Sequence, residues 1–471
     1  MLKMQQDLNK TFLAVLALPA TALGFALSVQ IAALTWILST RYNLDIHDIG
    51  LVWAAGPIAG IFGQVLIGIW SDKVWLWSGR RRPFILVGGT IAALTLLALP
   101  NIGVISSEMG FDGVLGVALV VVLSLDFAIN VGFNPTRSVI ADVTPEGVDR
   151  TRGYTWMQTV SGSFGVVAYL IGANFGNLVL IYVGAILVLL FSLIPPFLIE
   201  EPEDLQEDGA AVAPAKTSYK QIFMAIQPLW GFLVYDIYAM TLRLAGIERQ
   251  DYYAEIVCGI LTIVLVTRTL MSRETGAGST QDHMTGFRQV VAAHSFSWIG
   301  VQTMFVFFFI FLQSLSNELG VDRLESVNGY AMAILNAVGA ALPVLLLQPL
   351  ARRIGRVKTH ALSLAIMTAG YTAMYFIGSS ATLIFMLMAI IGIGWASIVS
   401  LPFAIFSQKI AKEEMGLYMG LFNLSVVLPQ LVVSLGISLV VARADNPNII
   451  FAIAAIALAL SALAWTRVRE N

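Results

Sequence analysis

The sequence is short of charged residues. Aspartate, glutamate, lysine and arginine make up 12% of its 471 residues, whereas soluble domains contain about 25%. Hydrophobic residues make up 58%, and the mean hydropathy is +0.81. Length alone would suggest two or three soluble domains, but the shortage of charge argues against a soluble chain.

Cysteines and basic clusters are also scarce. Cys258 is the only cysteine, which excludes an internal disulfide framework and any metal site built from several cysteines. Because Cys258 lies in an apolar run, we expect an inert thiol. No basic block indicates nucleic-acid binding, and no glycine-rich nucleotide fingerprint follows a strand. No nucleophile–base pair stands out, so we expect neither an enzyme nor a resident cofactor or metal.

The sequence contains instead many long apolar runs. They exceed about 18 residues with few charges, which is enough to cross a bilayer. Because lipid offers no partners to backbone N–H and C=O groups, these runs are predicted to be helices. The twelve predicted core spans lie near 12–38, 49–70, 84–100, 114–141, 154–175, 178–199, 288–314, 327–351, 359–379, 382–407, 415–441 and 448–467. The first run is too long for a signal peptide and is expected to be retained.

A polar stretch and two weaker segments separate the first six spans from the last six. Residues 200–217 are acidic and then rich in alanine and proline, which is typical of a linker. Segments 221–244 and 253–272 are interpreted as two extra spanning helices or as amphipathic helices on the cytoplasmic surface. We favour spanning helices, because 256–266 is almost wholly apolar. The predicted organisation is a bundle over 1–199, a central region over 200–287 and a bundle over 288–471.

Most lysines and arginines fall in loops on one side of the predicted membrane. By the positive-inside rule this side is cytoplasmic, and both termini lie there. We therefore expect a multi-pass protein of a bacterial inner membrane, in contact with the lipid bilayer and monomeric.

Two basic loops occupy corresponding places in the two halves. Residues 68–73 (GIWSDK) and 79–82 (GRRR) lie between the second and third spans, and 348–356 (QPLARRIGR) between the eighth and ninth. Parallel repeats of six spans are typical of the major facilitator architecture. The predicted fold class is therefore an all-α membrane protein with two six-helix bundles and two extra helices between the halves.

The fourth span contains an unusual polar stripe. Asp126, Asn130, Asn134 and Arg137 follow at spacings that place them on one face of a helix. A rise of about 16 Å separates Asp126 from Arg137, so they cannot touch. Intramembrane ionisable groups cost about 2.5–3.5 kcal/mol each and mark substrate or proton paths. Asp126 is predicted to bind and release a proton, and Arg137 to hold hydroxyls or a carboxylate. Structural pairing with polar groups of other helices is the alternative.

Other residues are assigned by their position in the spans. We predict a charge network that holds the protein in one conformation and so acts as a gate. Its members are Asp72, Arg80, Arg81, Arg82 and Asp142. The candidates to line a substrate cavity are Gln30, Asn130, Asn134, Gln302, Asn423 and Gln430. For the four outside Asn130 and Asn134, ordinary interhelical hydrogen bonds are the alternative. Trp298 and Trp395 lie inside spans and could stack on a sugar or pack against neighbours. His294, near a predicted helix start, is expected at a solvated interface.

Several segments resemble the sucrose/proton symporters of plants and their animal and bacterial relatives, in the glycoside–pentoside–hexuronide branch of the major facilitators. The segments are 53–60 (WAAGPIAG), 68–73, 79–85 (GRRRPFI), the polar stripe of the fourth span, 401–407 (LPFAIFS) and 420–430 (GLFNLSVVLPQ). The resemblance implies that Asp126 couples protons and that Arg137 holds the sugar. Unlike the plant proteins, segment 297–313 contains no acidic residue, and 221–272 is not part of the common pattern.

The expected function is import of a disaccharide with a proton, by alternating access and with the sugar at the interface of the halves. The sugar is sucrose, maltose or a related α-glucoside, and the proton is the coupling ion. Two alternatives remain open. One is an exporter of amphipathic compounds with the same fold. The other is a membrane receptor or assembly factor that does not transport.

Overall fold

A computed structural model describes residues 3–63, 75–111, 113–145, 148–202, 219–247, 251–272, 280–319, 323–406, 409 and 415–470. Apart from a single bridge between Leu76 and Gly79, the regular structure of these residues is helical. The long helices are α1 (Lys10–Thr40), α2 (Ile46–Gly63), α3 (Arg82–Glu108), α4 (Leu115–Val143), α5 (Val148–Phe175), α6 (Asn177–Leu198), α7 (Trp230–Leu244), α8 (Tyr253–Met271), α9 (Thr280–Ser314), α10 (Leu324–Ile354), α11 (Arg356–Ile377), α12 (Ala381–Phe406), α13 (Leu417–Ala442) and α14 (Ile449–Trp465).

These helices match the predicted spans in number and order. Within the described ranges, eleven helices are long and apolar enough to cross a membrane, and they include α8 of the central region. The other three are α5, which is more polar, α7, which has 15 residues, and α14, which has 17. The chain is an all-α multi-pass membrane protein, as predicted.

The chain packs into two compact units. The first is Met1–Asp208 with Val321–Ala340, and the second is Gly209–Gly320 with Ala341–Asn471. In the first unit, α1 lies along α5 and α6, while α3 packs on α4 and α6. Small residues allow close approach: Gly88 lies against the backbone oxygen of Ala128, and Gly89 against Ser192. Such small-residue contacts are how helices pack where no water drives association.

The N-terminal part of α10 packs within the first unit. Asn328 donates a hydrogen bond from Nδ2 to the backbone oxygen of Ala32 (3.2 Å), and Ser326 Oγ donates to that of Ala173 (2.6 Å). Gly329 lies against the backbone of α5, where a side chain would clash. The predicted domain boundaries, which assign this segment to 288–471, stay a prediction.

In the second unit α9 is the central helix. It packs on α13 and α14, and α11 packs on α12 and α14. The central pair, α7 and α8, is tightly joined where Gly231 approaches Thr262 and the backbone oxygen of Cys258. α7 also packs on α13, whose regular winding is interrupted by a π-helical segment at Val433–Ile437. The extra helices are thus built into the second unit.

Candidate functional site

Asp126 is buried where three helices of the first unit meet. Its side chain is 4% exposed, although it lies near the middle of α4. Gln30 of α1 donates a hydrogen bond from Nε2 to Asp126 Oδ2 over 3.0 Å. Gly56 of α2 lies beside the carboxylate, and a Cβ atom there would make an ordinary contact with Oδ2 at 3.4 Å. The carboxylate therefore faces protein and not lipid.

The polar stripe continues toward the C-terminal end of α4. Asn130 is buried and donates from Nδ2 to the backbone oxygen of Asp126 over 2.8 Å. Its Cβ lies against Gly63 of α2, where an added Cβ would come within 2.9 Å. Asn134 is half-buried, and it also interacts with another residue. The stripe predicted from spacing is therefore turned toward neighbouring helices along its first half.

Arg137 differs from the rest of the stripe because its side chain is exposed. The guanidinium lies over the ring of Phe133, 5.1 Å from its centroid, a cation–π contact. No carboxylate in the described part of the chain lies within salt-bridge distance of it. Tyr154 of α5 donates a hydrogen bond to the backbone oxygen of Arg137 over 3.2 Å. The guanidinium of Arg137 thus presents several hydrogen-bond donors in one plane. No carboxylate of the described residues neutralises its charge.

The predicted gating residues cluster at the start of α3. Arg81 is buried, and its Nε lies 3.0 Å from Asp142 Oδ2 at the end of α4. Arg80 stacks over Trp75 with its guanidinium 5.9 Å from the ring centroid. The ion pair joins two helices of the same unit, and the gating role stays a prediction. Asp72, the remaining acidic member, lies outside the described residues.

Sequence reasoning missed Glu201, which organises this cluster. Its carboxylate accepts hydrogen bonds from the backbone N–H groups of Arg80 (2.7 Å), Arg81 (2.9 Å) and Arg82 (2.9 Å). A carboxylate at a helix N-terminus satisfies free N–H groups and is stabilised by the helix dipole. The position of Glu201, directly after the sixth span, was the available signal.

The second half contains a matching carboxylate cap at a helix N-terminus. The two basic loops of the sequence indicated a repeat but not this cap. Glu470 follows the last span and accepts hydrogen bonds from the backbone N–H groups of Arg356 (2.7 Å) and Val357 (3.2 Å). These residues begin α11, the third helix of the second half. The same cap at the same place in both halves is a structural sign of the predicted duplication.

An aromatic and amide surface lies in the second unit. Trp298, Gln302 and Phe305 share one face of α9, and Trp298 meets Trp395 of α12 edge-on with centroids 6.2 Å apart. Trp395 meets Phe305 in the same way at 5.4 Å. Both tryptophans are half-buried. We call these three rings the aromatic wall; Phe305 is buried, and the two tryptophans are partly accessible.

The predicted polar residues of the second half fall into two groups. Gln430 of α13 donates a hydrogen bond from Nε2 to Oε1 of Gln302 over 3.1 Å, so these two are brought together next to Trp298. Asn423 is half-buried, and its side chain makes no hydrogen bond within the described ranges. The structure therefore joins Trp298, Gln302 and Gln430 but not Asn423.

The expectation for His294 was wrong. The predicted span began near 288, but α9 begins at Thr280, so His294 lies well inside the helix and is 2% exposed. Its Nε2 accepts a hydrogen bond from Trp298 Nε1 over 2.9 Å, and its ring stacks on Phe422. His294 thus fixes the orientation of Trp298. No group of metal-ligating side chains occurs among the described residues.

Comparisons with known proteins place the chain among membrane transporters. Mouse Proton-associated sugar transporter A is 33% identical over 153 residues, which are 31% of this chain and 20% of that protein. The chain therefore aligns with about a fifth of that relative's length. Sucrose transport protein SUT5 of Oryza sativa subsp. indica is 26% identical over 438 residues, 82% of this chain and 74% of that protein. The General alpha-glucoside permease of Schizosaccharomyces pombe is 31% identical over 178 residues, 35% of this chain and 31% of the permease.

Solved structures share the fold at low sequence identity. The nucleoside transporter NupG superposes with a TM-score of 0.61 at 14% identity, over 98% of this chain and 100% of that chain. The POT family transporter PepTSo gives 0.65 at 12% identity, over 97% of each chain. The family model of the Major Facilitator Superfamily matches residues 16–434 and 291–471. Since this match covers most of the sequence, the chain belongs to the Major Facilitator Superfamily and is a membrane transporter, not an enzyme.

Proposed function

We propose that this protein is a proton-coupled symporter that imports a disaccharide, namely sucrose, maltose or a related α-glucoside. The observation that carries the proposal is the buried Asp126 carboxyl, whose side chain has one described polar partner, Gln30. The substrate class is supported by the relatives described above, a sucrose transport protein, a proton-associated sugar transporter and an alpha-glucoside permease.

Asp126 is suited to carry the proton because its two protonation states differ in their need for solvation. A buried carboxylate without a cationic partner is costly, and a proton removes that cost. Gln30 supplies one hydrogen bond to the carboxyl, which orients it without neutralising it. The proton is thus the coupling ion, and it needs no other cofactor.

Arg137 is suited to bind sugar because its side chain extends from the packed part of the stripe and has no carboxylate partner among the described residues. Several donors in a fixed plane match the vicinal hydroxyls of a sugar. The cation–π contact with Phe133 holds the fork in place. Asp126 and Arg137 lie on one helix, so a displacement of α4 on protonation would reach both sites.

The aromatic wall of the second unit is proposed as a further sugar-contacting surface. Sugar rings present apolar C–H faces that pack on aromatic rings, while their hydroxyls need donors and acceptors. Trp298 supplies the ring, and the neighbouring amides of Gln302 and Gln430 supply both kinds of polar group. Asn130, Asn134 and Asn423 remain weaker candidates for sugar contact.

The setting of the symporter is also a proposal. The bias of lysine and arginine predicts cytoplasmic termini and a bacterial inner membrane. The two six-helix halves would expose the sugar to alternate sides of the membrane, with the Arg81–Asp142 cluster as part of a gate. We propose that the monomer carries out this cycle.

The proposal is tested by uptake of labelled sucrose and maltose into proteoliposomes with and without an inward proton gradient. We expect accumulation only with the gradient. Asp126→Asn should abolish accumulation but retain exchange of labelled for unlabelled sugar. Asp149→Asn, which changes an exposed carboxylate on α5, is the matched control. Absence of uptake and exchange in folded wild-type protein would reject the proposal and favour an exporter or a receptor.

A further inference from the structure

Asp236 is a second buried acid, and the proposed symport does not use it. It lies on α7, within the helix pair between the two sets of six spans, and its side chain is 5% exposed. Neither carboxylate oxygen has a hydrogen-bond partner among the described residues. No lysine, arginine or histidine of the described chain lies within salt-bridge distance of it.

The face of α7 that carries Asp236 is packed against other helices. Phe232, one turn earlier, meets Phe296 of α9 edge-on with centroids 6.2 Å apart. Ala239, almost one turn later, is fully buried. The acid therefore lies between apolar neighbours on its own helix, and the surrounding face is closed to solvent.

The titratable groups around Asp236 are few. On α8, Glu255 accepts a hydrogen bond from Tyr235 over 2.9 Å, and Cys258 lies within electrostatic range of both carboxyls. Two parts of α13 pack on α7, Met415–Val432 and Val433–Ile437. Their one titratable side chain is Tyr418, which lies edge-on against Phe287 of α9. On α9 the nearest along the chain to Phe296 is the buried His294. None of these groups forms an ion pair with Asp236.

A bare carboxylate in such surroundings is strongly disfavoured, since no cation or donor of the described residues replaces its hydration. Binding a proton removes this cost without any further partner. We propose that Asp236 is a second proton-binding site, separate from Asp126 and carried by the inserted helix pair. The inference goes beyond sugar symport and does not depend on it.

Contacts around Asp236 connect this site to the rest of the second unit, so a change in its protonation would affect neighbouring helices. Tyr235, the neighbour of Asp236, contacts Gly436 in the π-helical segment of α13. Such segments are frequent at functional sites. The same helix carries Gln430, which contacts Gln302. Release of the proton requires water to reach this face, and α7 would then have to loosen its contact with α13.

Infrared spectroscopy of the full-length protein in lipid nanodiscs tests the site without any sugar. The Asp126→Asn variant serves as the starting protein, because it removes the other acid that is buried among the described residues. We expect a carbonyl-stretch band of a protonated, dehydrated carboxyl at neutral pH. Asp236→Asn should abolish this band. Asp251→Asn changes an exposed acid two residues before α8 and should leave the band unchanged. Absence of the band at neutral pH, or its persistence in Asp236→Asn, would overturn the proposal.

A second variant covers the case in which Asp236→Asn does not fold. Asp236→Leu has a similar size and no polar atoms. If the acid is uncharged and without partners, this change should preserve or raise the midpoint of thermal unfolding at neutral pH. A charged carboxylate held by a partner would instead make the change strongly destabilising, and a marked fall in the midpoint would contradict the proposal.

Discussion

Gln30 and Asp126 are joined by a hydrogen bond of 3.0 Å between Nε2 and Oδ2, across 96 positions of the chain. Both side chains are almost fully buried. The bond links α1 to α4 at the acid on which the proposed coupling depends. A side-chain amide here is a neutral partner, so the acid can gain or lose a proton without breaking an ion pair.

A double-mutant cycle measures this bond. Gln30→Ala and Asp126→Ala should each lower stability, because each leaves a buried polar partner unsatisfied, at about 1–3 kcal/mol. The double variant should lose less than the sum of the two, with a coupling energy of about 0.5–3 kcal/mol. Reversible unfolding in detergent provides the measurement. Strict additivity would show that the contact contributes nothing to folding.

Two glycines of α2 are expected to respond differently to alanine. A Cβ at Gly56 would make ordinary contact with Asp126 at 3.4 Å, whereas one at Gly63 would come within 2.9 Å of Asn130 Cβ. Gly56→Ala should be tolerated, and Gly63→Ala should destabilise by about 1–3 kcal/mol through overpacking. Thermal unfolding of the two variants side by side is the measurement. Equal midpoints would contradict the packing of α2 on α4.

Sugar binding should be sensitive to loss of the planar guanidinium of Arg137. Arg137→Lys keeps the charge but not the several fixed donors, so we expect weaker sugar binding by at least tenfold, about 1.4 kcal/mol. Arg152→Lys, on the exposed face of α5, is the matched control and should bind as the wild type does. The dissociation constant of the sugar is measured by equilibrium binding. Full affinity in Arg137→Lys would remove Arg137 from the sugar site.

The aromatic wall predicts a graded effect at Trp298. Trp298→Ala should weaken sugar binding, and Trp298→Phe should restore part of the affinity, because phenylalanine keeps a smaller aromatic face for the C–H groups of the sugar. Exchange of labelled sugar at several concentrations gives the apparent affinity. Indistinguishable affinities in the two variants would indicate that the ring only packs against Trp395.

The two helix caps predict a matched pair of stability changes. Glu201→Ala removes a partner from three backbone N–H groups at the start of α3, and Glu470→Ala from two at the start of α11. Loss of a charged cap costs about 1–2 kcal/mol. Glu201→Ala should lower the free energy of unfolding more than Glu470→Ala, since Glu201 caps more N–H groups and is also less exposed. The reverse order of unfolding midpoints would contradict this account of the caps.

The fold and the polar stripe could be predicted because their signals are local. Apolar runs long enough for a bilayer predict helices wherever they occur, and the four polar residues of the stripe stand out in a largely apolar span. The contacts that complete the sites join distant positions. Nothing near Asp126 in sequence indicates Gln30, and nothing near Arg81 indicates Glu201.

The prediction for His294 was wrong because the start of its helix was misplaced. The sequence near 280–287 is polar, so the seventh core span was predicted to begin near 288, which left His294 at the interface. In the structure, α9 begins eight residues earlier at Thr280, and tertiary packing buries His294 beneath Trp298 and Phe422. The polar start of a helix that extends beyond the apolar run cannot be recognised from hydropathy alone.

The central claim is that sugar and proton move together, and the most direct measurement is sugar-driven proton flux. Proteoliposomes with a pH-sensitive dye inside, and no initial pH gradient, are mixed with sucrose or maltose. The account predicts that the lumen acidifies with wild-type protein and with Asp149→Asn but not with Asp126→Asn. Sugar entry without any change in luminal pH, or acidification that persists in Asp126→Asn, would contradict it.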